Sequence, residues 1–407
     1  MNTAWFISKK IAFSRDKKFS AFIIKIAIAS VALSLAVMII ATSMVRGFQN
    51  EISQKVFNYW GHIHITSLGF SSSYQESPIS IDQGFYPNPS GFDEEISHIQ
   101  IYANKAGLLK TDENLEGLVL KGVGADYRRS YVEDGIQSGI FPDFSTEELS
   151  SEILISEYTA NRLQLEIGDD AIVYFIETPM RVRRFQVSGI YKSGIREFDQ
   201  YYAFVDIRHI QRLNNWDADQ IGGFEIFIND IRKLDEIEER IYYEWLTTDL
   251  NSYTIKQLYP NIFDWLSLQS TNEKVIIILM IIVALINMST AILILVMERT
   301  NMVGLLKALG ADNFKIQQIF LHFAAIILVI GLLIGNVLGI SFTLLQSTFK
   351  FIRLPEEAYY LAYAPVDLHL PSILLLNVGT LVFCVILLLL PSLIIKTITP
   401  VKALRWK

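Results

Sequence analysis

The sequence predicts a membrane α-helical protein with four transmembrane helices and a large α+β extracytoplasmic domain inserted after the first helix. Three observations lead there. A hydrocarbon core of roughly 30 Å takes about 20 helical residues at about 1.5 Å each, and four apolar runs are that long: 21–45, 275–297, 316–345 and 371–395. The composition is 51% hydrophobic and only 19% charged over 407 residues, with a mean hydropathy of +0.32. That sets aside disorder, collagen and coiled-coil fibre. The net charge of -7 also conceals two unlike parts. Residues 47–272 hold 18 Lys/Arg and 35 Asp/Glu, or -17, and the remainder holds 17 and 7, or +10. An acidic segment enclosed by basic, apolar ends is the charge layout of a membrane protein with a domain outside.

The first run follows a cytoplasmic stretch, 1–20, and carries one charge, Lys25, a turn inside, where its stem can snorkel to the headgroups. About 25 apolar residues exceed the h-region of a signal peptide, and no A-x-A site follows, so the helix is expected to be retained. The second run, 275–297, is uncharged, and the third, 316–345, is long enough to require tilt. Pro391 should kink the fourth near its end. Lys/Arg flank the cytoplasmic ends: Lys9, Lys10, Arg15, Lys17 and Lys18; Arg299, Lys307 and Lys315; and, in the tail 396–407, Lys396, Lys402, Arg405 and Lys407. The short loop 346–370 has Lys350 and Arg353 against Glu356, Glu357 and Asp367. Both termini are therefore expected inside and the insert, 46–272, outside.

Strand-like alternation marks 62–66, 118–120, 171–176, 184–187 and 224–228 of the insert, and helical spacing marks 155–163 and 232–246, the latter with Leu234, Ile237, Ile241 and Trp245 on one face. An irregular stretch with Pro78, Pro87 and Pro89 runs over 71–91, and residues 126–215 are a candidate inserted subdomain.

Several chemistries are missing. There is no G-x-x-x-x-G-K-[ST] loop, H-E-x-x-H or G-x-S-x-G, and Gly122-Val123-Gly124 lacks the rest of a nucleotide motif. His62 and His64 could share one side of a strand, but no third ligand completes a metal site, so none is assigned. His322 and the single cysteine, Cys384, fall in apolar runs and read as packing residues. The carboxylates of the insert are dispersed as a solvated acidic surface, which disfavours nucleic acid as a partner.

The informative segment is 298–312. Met302, Leu305, Leu306 and Leu309 recur at i, i+3, i+4 and i+7, and Gly310 follows as a stop signal. A short amphipathic helix therefore joins the second and third spans on the cytoplasmic side. It could rest on lipid or dock into a groove of a cytoplasmic partner.

Glu298-Arg299, the run Leu305-Leu306-Lys307-Ala308-Leu309-Gly310-Ala311 and Ile316-Gln317-Gln318-Ile319-Phe320 resemble the core of the FtsX/MacB-type ABC permease family. Gly47-Phe48, the turn Leu165-Glu166-Ile167-Gly168-Asp169 and the closing Pro400-Val401-Lys402-Ala403-Leu404-Arg405 are further matches. Leu354-Pro355, Tyr359-Tyr360 and Pro365-Val366 resemble its lipoprotein-releasing, LolC/LolE-like branch rather than the MacB efflux branch. Two features depart from the pattern. The family's N-G-F-E is Arg46-Gly47-Phe48-Gln49 here, and the hairpin by which one of the paired subunits recruits a periplasmic carrier would fall at Glu177–Arg181, only a few residues long.

The resemblance implies a non-catalytic permease of the inner membrane that binds no cofactor itself. ATP and Mg would sit on a cytoplasmic ABC ATPase dimer, which pushes on a coupling segment made of Glu298, Arg299, Met302, Leu305, Leu306, Leu309 and Gly310. A second permease subunit, identical or a paralogue, would complete the transporter, and lipoprotein cargo would leave the outer leaflet. A MacB-like efflux permease and an FtsX-like module activating an outer enzyme are the alternatives. Acyl chains of the cargo would rest against Met44, Val45, Ile276, Leu279 and Met280. Asn287, Asn336 and Asn377 suit interhelical hydrogen bonds, and Gly331, Gly335 and Gly339 form a small-residue stripe for close helix approach. Small residues also crowd the first helix, and either stripe could serve an intersubunit seam or internal packing.

Overall fold

The computed structural model describes residues 18–69, 76–89, 91–111 and 114–389. The basic clusters up to Lys17, Ser71, Pro391 and the closing 400–405 motif lie outside them. In chain order the principal helices are α1 (Lys18–Trp60), α2 (Glu157–Leu163), α3 (Ile207–Asn214), α4 (Leu234–Glu244), α5 (Pro260–Glu298), α6 (Thr300–Ala308), α7 (Asn313–Phe349) and α8 (Leu370–Leu387). The strands of the large sheet are β1 (Ile63–Ser67), β2 (Ile96–Lys110), β3 (Leu115–Val123), β4 (Ile136–Gly139), β5 (Glu152–Ser156), β6 (Asp170–Phe175), β7 (Arg181–Tyr191), β8 (Tyr202–Asp206), β9 (Gly223–Ile228) and β10 (Leu250–Thr254). Two compact units result. One comprises Met1–Gln49, Trp265–Arg353 and Tyr363–Lys407, and the other Asn50–Asp264 with Leu354–Ala362.

The first unit is helical. Among the described residues α1, α5 and α7 are long and apolar enough to cross a membrane, and α8 adds a shorter apolar helix of 18 residues. Each long helix continues beyond its apolar run: α1 has 43 residues, α5 39 and α7 37. A helix stops where its backbone is capped or broken, not where its side chains turn polar. Pro260 suits the first turn of α5 because its missing N–H has no partner there anyway. Lys350, left-handed at φ 47, caps the end of α7. The core joins Val31, Leu35 and Ile39 of α1, Met288 and Ile292 of α5, and Phe320, Phe323 and Ile327 of α7.

The second unit is built on one mixed ten-stranded sheet in the order β10-β1-β9-β2-β3-β8-β5-β7-β4, with β6 pairing to β2 and β7. Residues 126–215 supply five of these strands rather than a separate sheet. The pairs β3–β8 and β5–β7 are parallel. Within 155–163 the first two residues belong to β5, and Ser156 caps α2 by accepting from Thr159 N at 3.0 Å. On one face of the sheet Ile63, Ile65, Phe224, Ile226, Ile99 and Leu120 enter a continuous core with Leu234, Ile237 and Ile241 of α4.

The opposite face is polar yet also buried. Register sets Tyr253 opposite His64, His64 opposite Glu225 and Glu225 opposite Gln100. Lys121, on β3, donates to Glu225 Oε1 at 2.6 Å and to the Tyr59 carbonyl at 2.8 Å, and Glu225 Oε2 accepts from Gln100 at 2.8 Å. Both ions are 1% exposed, so the pair survives on complete hydrogen bonding rather than on charge attraction alone. His62 lies just ahead of β1, stacked on Phe57 at 4.4 Å, while His64 Nδ1 meets the Tyr102 hydroxyl at 3.3 Å. The loop tip 354–362 belongs to this unit too. Lys55 Nζ donates to the Tyr360 carbonyl at 3.2 Å, the Tyr360 hydroxyl to Glu197 at 3.1 Å, and Lys192 meets Glu356 at 2.8 Å.

Lys121→Met alone should strand a buried carboxylate and destabilise the unit by about 3–5 kcal/mol, whereas Lys121→Met with Glu225→Gln should recover most of that loss. Denaturant unfolding of the purified chain, read by tryptophan fluorescence, measures both.

Candidate functional site

The apolar, basic segment between α5 and α7 is the first place to look for transmitted force. α5 ends at Glu298, Arg299 turns the chain at φ -99 and ψ 20, and α6 follows over nine residues. Gly310 at φ 85 terminates it, with Gly310 N donating to the Lys307 carbonyl at 3.0 Å and Ala311 N to the Leu306 carbonyl at 2.9 Å. These are the paired bonds of a Schellman ending, which only a left-handed residue permits. The predicted stripe divides. Met302 and Leu306 pack into the helical core together with Val303, which is fully buried, while Leu305 and Leu309 are 53% and 76% exposed. The inward arc of so short a helix is centred near Val303, a residue the i, i+3, i+4, i+7 pattern passes over. Glu298 is half-buried, and Arg299 Nε is buried without a hydrogen-bond partner.

The glycine stripe of α7 faces α1 of the same chain. A Cβ on Gly331 would lie 2.8 Å from Val31 Cβ, on Gly335 2.7 Å from the Ala32 carbonyl oxygen, and on Gly339 3.2 Å from Ala36 Cα. The two small-residue stripes therefore meet each other as internal packing. Asn287 Nδ2 on α5 donates to Ser30 Oγ on α1 at 2.5 Å. Asn336 on α7 and Asn377 on α8 exchange amide hydrogen bonds of 2.7 and 2.9 Å. Each of those amides also donates to the carbonyl four residues back, at 2.8 Å.

Two family models match the chain: the FtsX-like permease C-terminal over residues 274–400, and the MacB-like periplasmic core domain over residues 26–241, more than half of the chain. The chain belongs to the FtsX/MacB family of ABC transporter permeases. It is similar to the lipoprotein-releasing system transmembrane protein LolC of Xylella fastidiosa, 22% identical over 97% of this chain and 96% of that protein. It is also similar to the lipoprotein-releasing system transmembrane protein LolE of Haemophilus influenzae, 23% identical over 96% of each. Among solved structures, the periplasmic region of MacB from Actinobacillus actinomycetemcomitans is 15% identical, covering 49% of this chain and 92% of that one, at a TM-score of 0.34 that adds nothing to the family models.

The FtsX/MacB signature residues have identifiable work in this permease. Gly47 lets α1 touch the chain after α7, since a Cβ there would fall 2.6 Å from the Pro365 carbonyl carbon. Asp367 N donates to the Ser43 carbonyl at 2.9 Å and Arg46 Nη1 to Ser372 Oγ at 2.5 Å, closing the same contact. In the Leu165–Asp169 turn Gly168 takes φ 94 and Asp169 accepts from Glu166 N at 2.8 Å. Residues 176–180 form a five-residue turn between β6 and β7, and Arg181 is tied back to the Leu213 carbonyl at 2.5 Å. The proposed cargo residues have unlike surroundings: Val45 is buried, Leu279 is 51% exposed, and Met44, Ile276 and Met280 are half-buried. Val303 and the Lys121–Glu225 pair escaped the sequence as structural keys. Lys121 and Glu225 did leave a signal, a charge set inside an apolar strand.

Gly335→Ala should cost about 1–3 kcal/mol through overpacking against Ala32, while Gly379→Ala, with nothing within 4 Å, should be neutral. Thermal unfolding of the permease in mild detergent compares the two.

Proposed function

We propose that this permease is the membrane subunit of an ATP-driven transporter that releases lipoproteins from the outer leaflet of the inner membrane by mechanical coupling. In this reading all four apolar helices span the bilayer, both termini are cytoplasmic and the α/β unit is outside. Nearly full-length similarity to LolC and LolE proteins supports the cargo class. The observation that carries the coupling is the divided stripe of α6, two leucines offered to a partner and three apolar residues set into the bundle.

ATP and Mg act on a separate cytoplasmic ATPase dimer. Its closure presses Leu305 and Leu309, and Met302, Val303 and Leu306 pass the displacement to α5 and α7. The glycine seam then carries it to α1, and the Asn336–Asn377 pair carries it to α8. A second permease subunit, of this sequence or a paralogue, forms the other half. Acyl chains of the lipoprotein rest against the exposed side of α5 at Leu279, flanked by Ile276 and Met280, where apolar area lost from water contributes about 25 cal/mol/Å². Met44 and Val45 support that wall from α1. The short, tethered turn at 176–180 offers a periplasmic carrier no protruding arm, so a carrier, where one is used, meets another surface.

Burial of one leucine is worth about 1.5–3 kcal/mol, so Leu305→Glu with Leu309→Glu should weaken ATPase association by about a hundredfold or more. Insertion and folding should persist, because both side chains face outward. Co-purification of the ATPase and its stimulated hydrolysis measure the effect, and full stimulation of the double variant would remove the docking role.

Leu279→Asp should leave ATPase binding intact and cause lipoproteins to accumulate in the inner membrane. Fractionation of inner and outer membranes reads this directly. Normal release would exclude Leu279 from the cargo path.

A further inference from the structure

The α/β unit contains a cavity of about 370 Å³ above the polar face of its sheet. Five aromatic residues line it: Trp60, Tyr102, Tyr202, Tyr253 and Tyr259. Three ionisable side chains that carry charge also reach it, Glu76, Lys121 and Glu225. Lys121 and Glu225 cancel one another at 2.6 Å. His64 is held neutral, its pKa lowered to about 3 by burial and by the charge of Lys121.

Among the described residues Glu76 has no ion-pair partner of its own, and the Lys121 charge that acts on it is already paired with Glu225. The Glu76 oxygens accept, among the described residues, only from Asn104 N and Asn104 Nδ2, both at 2.8 Å. The cation on its far side, Lys105, is engaged by Glu177 and Asn214, each at 2.5 Å, and Arg181 faces Glu177 at 3.6 Å. The carboxylate lies over Gly222, where a Cβ would fall 1.8 Å from Oε2. Three residues that line the cavity also carry a buried side-chain atom without a partner: Asn104 Oδ1, Trp60 Nε1 and His64 Nε2. A cation already stands beside one of these rings: Lys121 Nζ is 5.9 Å from the centroid of Tyr102.

We propose that this cavity binds a small organic ammonium ligand that also carries an oxygen function. The ammonium answers what the site lacks. It supplies a counterion for Glu76, donors for Asn104 Oδ1 and a positive charge for the aromatic faces. An oxygen on the ligand accepts from Trp60 Nε1. An anion would meet Glu76 unscreened, and a neutral polyol would leave that carboxylate buried without a cation.

Protonation links to binding. Burial raises the Glu76 carboxyl from 4.5 to about 7, opposed by the Asn104 bonds. Folding therefore favours its protonated form. That stabilisation is complete below about 4.5 and is lost as pH rises through about 7. An ammonium favours the ionised form, so binding near pH 7 releases a proton.

The experiment is calorimetric titration of the full chain in detergent at pH 7 with ethanolamine, choline and glucosamine, and with glucose and glucuronate as neutral and anionic isosteres of the last. At least one ammonium should bind, glucosamine about tenfold or more above glucose if it is that one, with glucuronate silent. Heats in two buffers of different ionisation enthalpy should show proton release. Glu76→Gln should abolish that release and weaken binding about tenfold, while raising thermal stability at pH 8, which also verifies folding. Gly222→Ala, which displaces the carboxylate without removing it, should weaken binding as well. No binding by any of the three ammonium compounds at 10-millimolar order, binding unaffected by Glu76→Gln, or glucose binding as well as glucosamine overturns the proposal.

Discussion

The close approach of α1 and α7 is the constraint on which the helical unit depends. Lipid chains are as apolar as leucine, so no hydrophobic drive holds two spanning helices together; contact area and interhelical hydrogen bonds must. Gly331, Gly335 and Gly339 provide that area by removing the atoms that would keep α7 away from Val31, Ala32 and Ala36. Once the backbones are this near, the remaining contacts have little freedom. Asn287 reaches Ser30, and Phe320, Phe323 and Ile327 fill the space beside the seam. Beside that seam, Asn336 of α7 and Asn377 of α8 satisfy each other, which favours one register for α8.

A seam of this kind also determines how force can travel. α6 is a nine-residue helix closed by Gly310 and held from within by Met302, Val303 and Leu306. Pressure on its outer leucines meets close-packed side chains rather than a flexible linker, and close-packed interiors transmit strain. The coupling proposed above therefore needs no charged path through the bilayer.

The α/β unit solves a different problem. A sheet with one face in the core normally gives its other face to water. Here both are buried, and the second carries Lys121, Glu225, Gln100 and His64. Such a layer is stable only if each polar group finds a partner. Lys121 and Glu225 do so with Tyr59 and Gln100, whereas Glu76, Asn104 and Trp60 retain unmet capacity around a cavity.

The sequence by itself determined the long apolar helices, the α/β insert after the first of them, the stop at Gly310 and the family, because run length, alternation and glycine placement are local properties. It did not reveal β2, the longest strand, where the polar Gln100 and Lys105 interrupt the apolar alternation and are in fact buried. Nor did it show that α1 would continue to Trp60, because no local break marks the end of its apolar run. Only the tertiary structure decided that the two small-residue stripes meet each other, that Val303 rather than Leu305 faces inward, and that Glu225 and Lys121 share a dry layer. Periodicity states which residues share a side of an element. Which neighbour covers that side depends on strand register and on how closely helices can approach, and those are set by residues hundreds of positions apart.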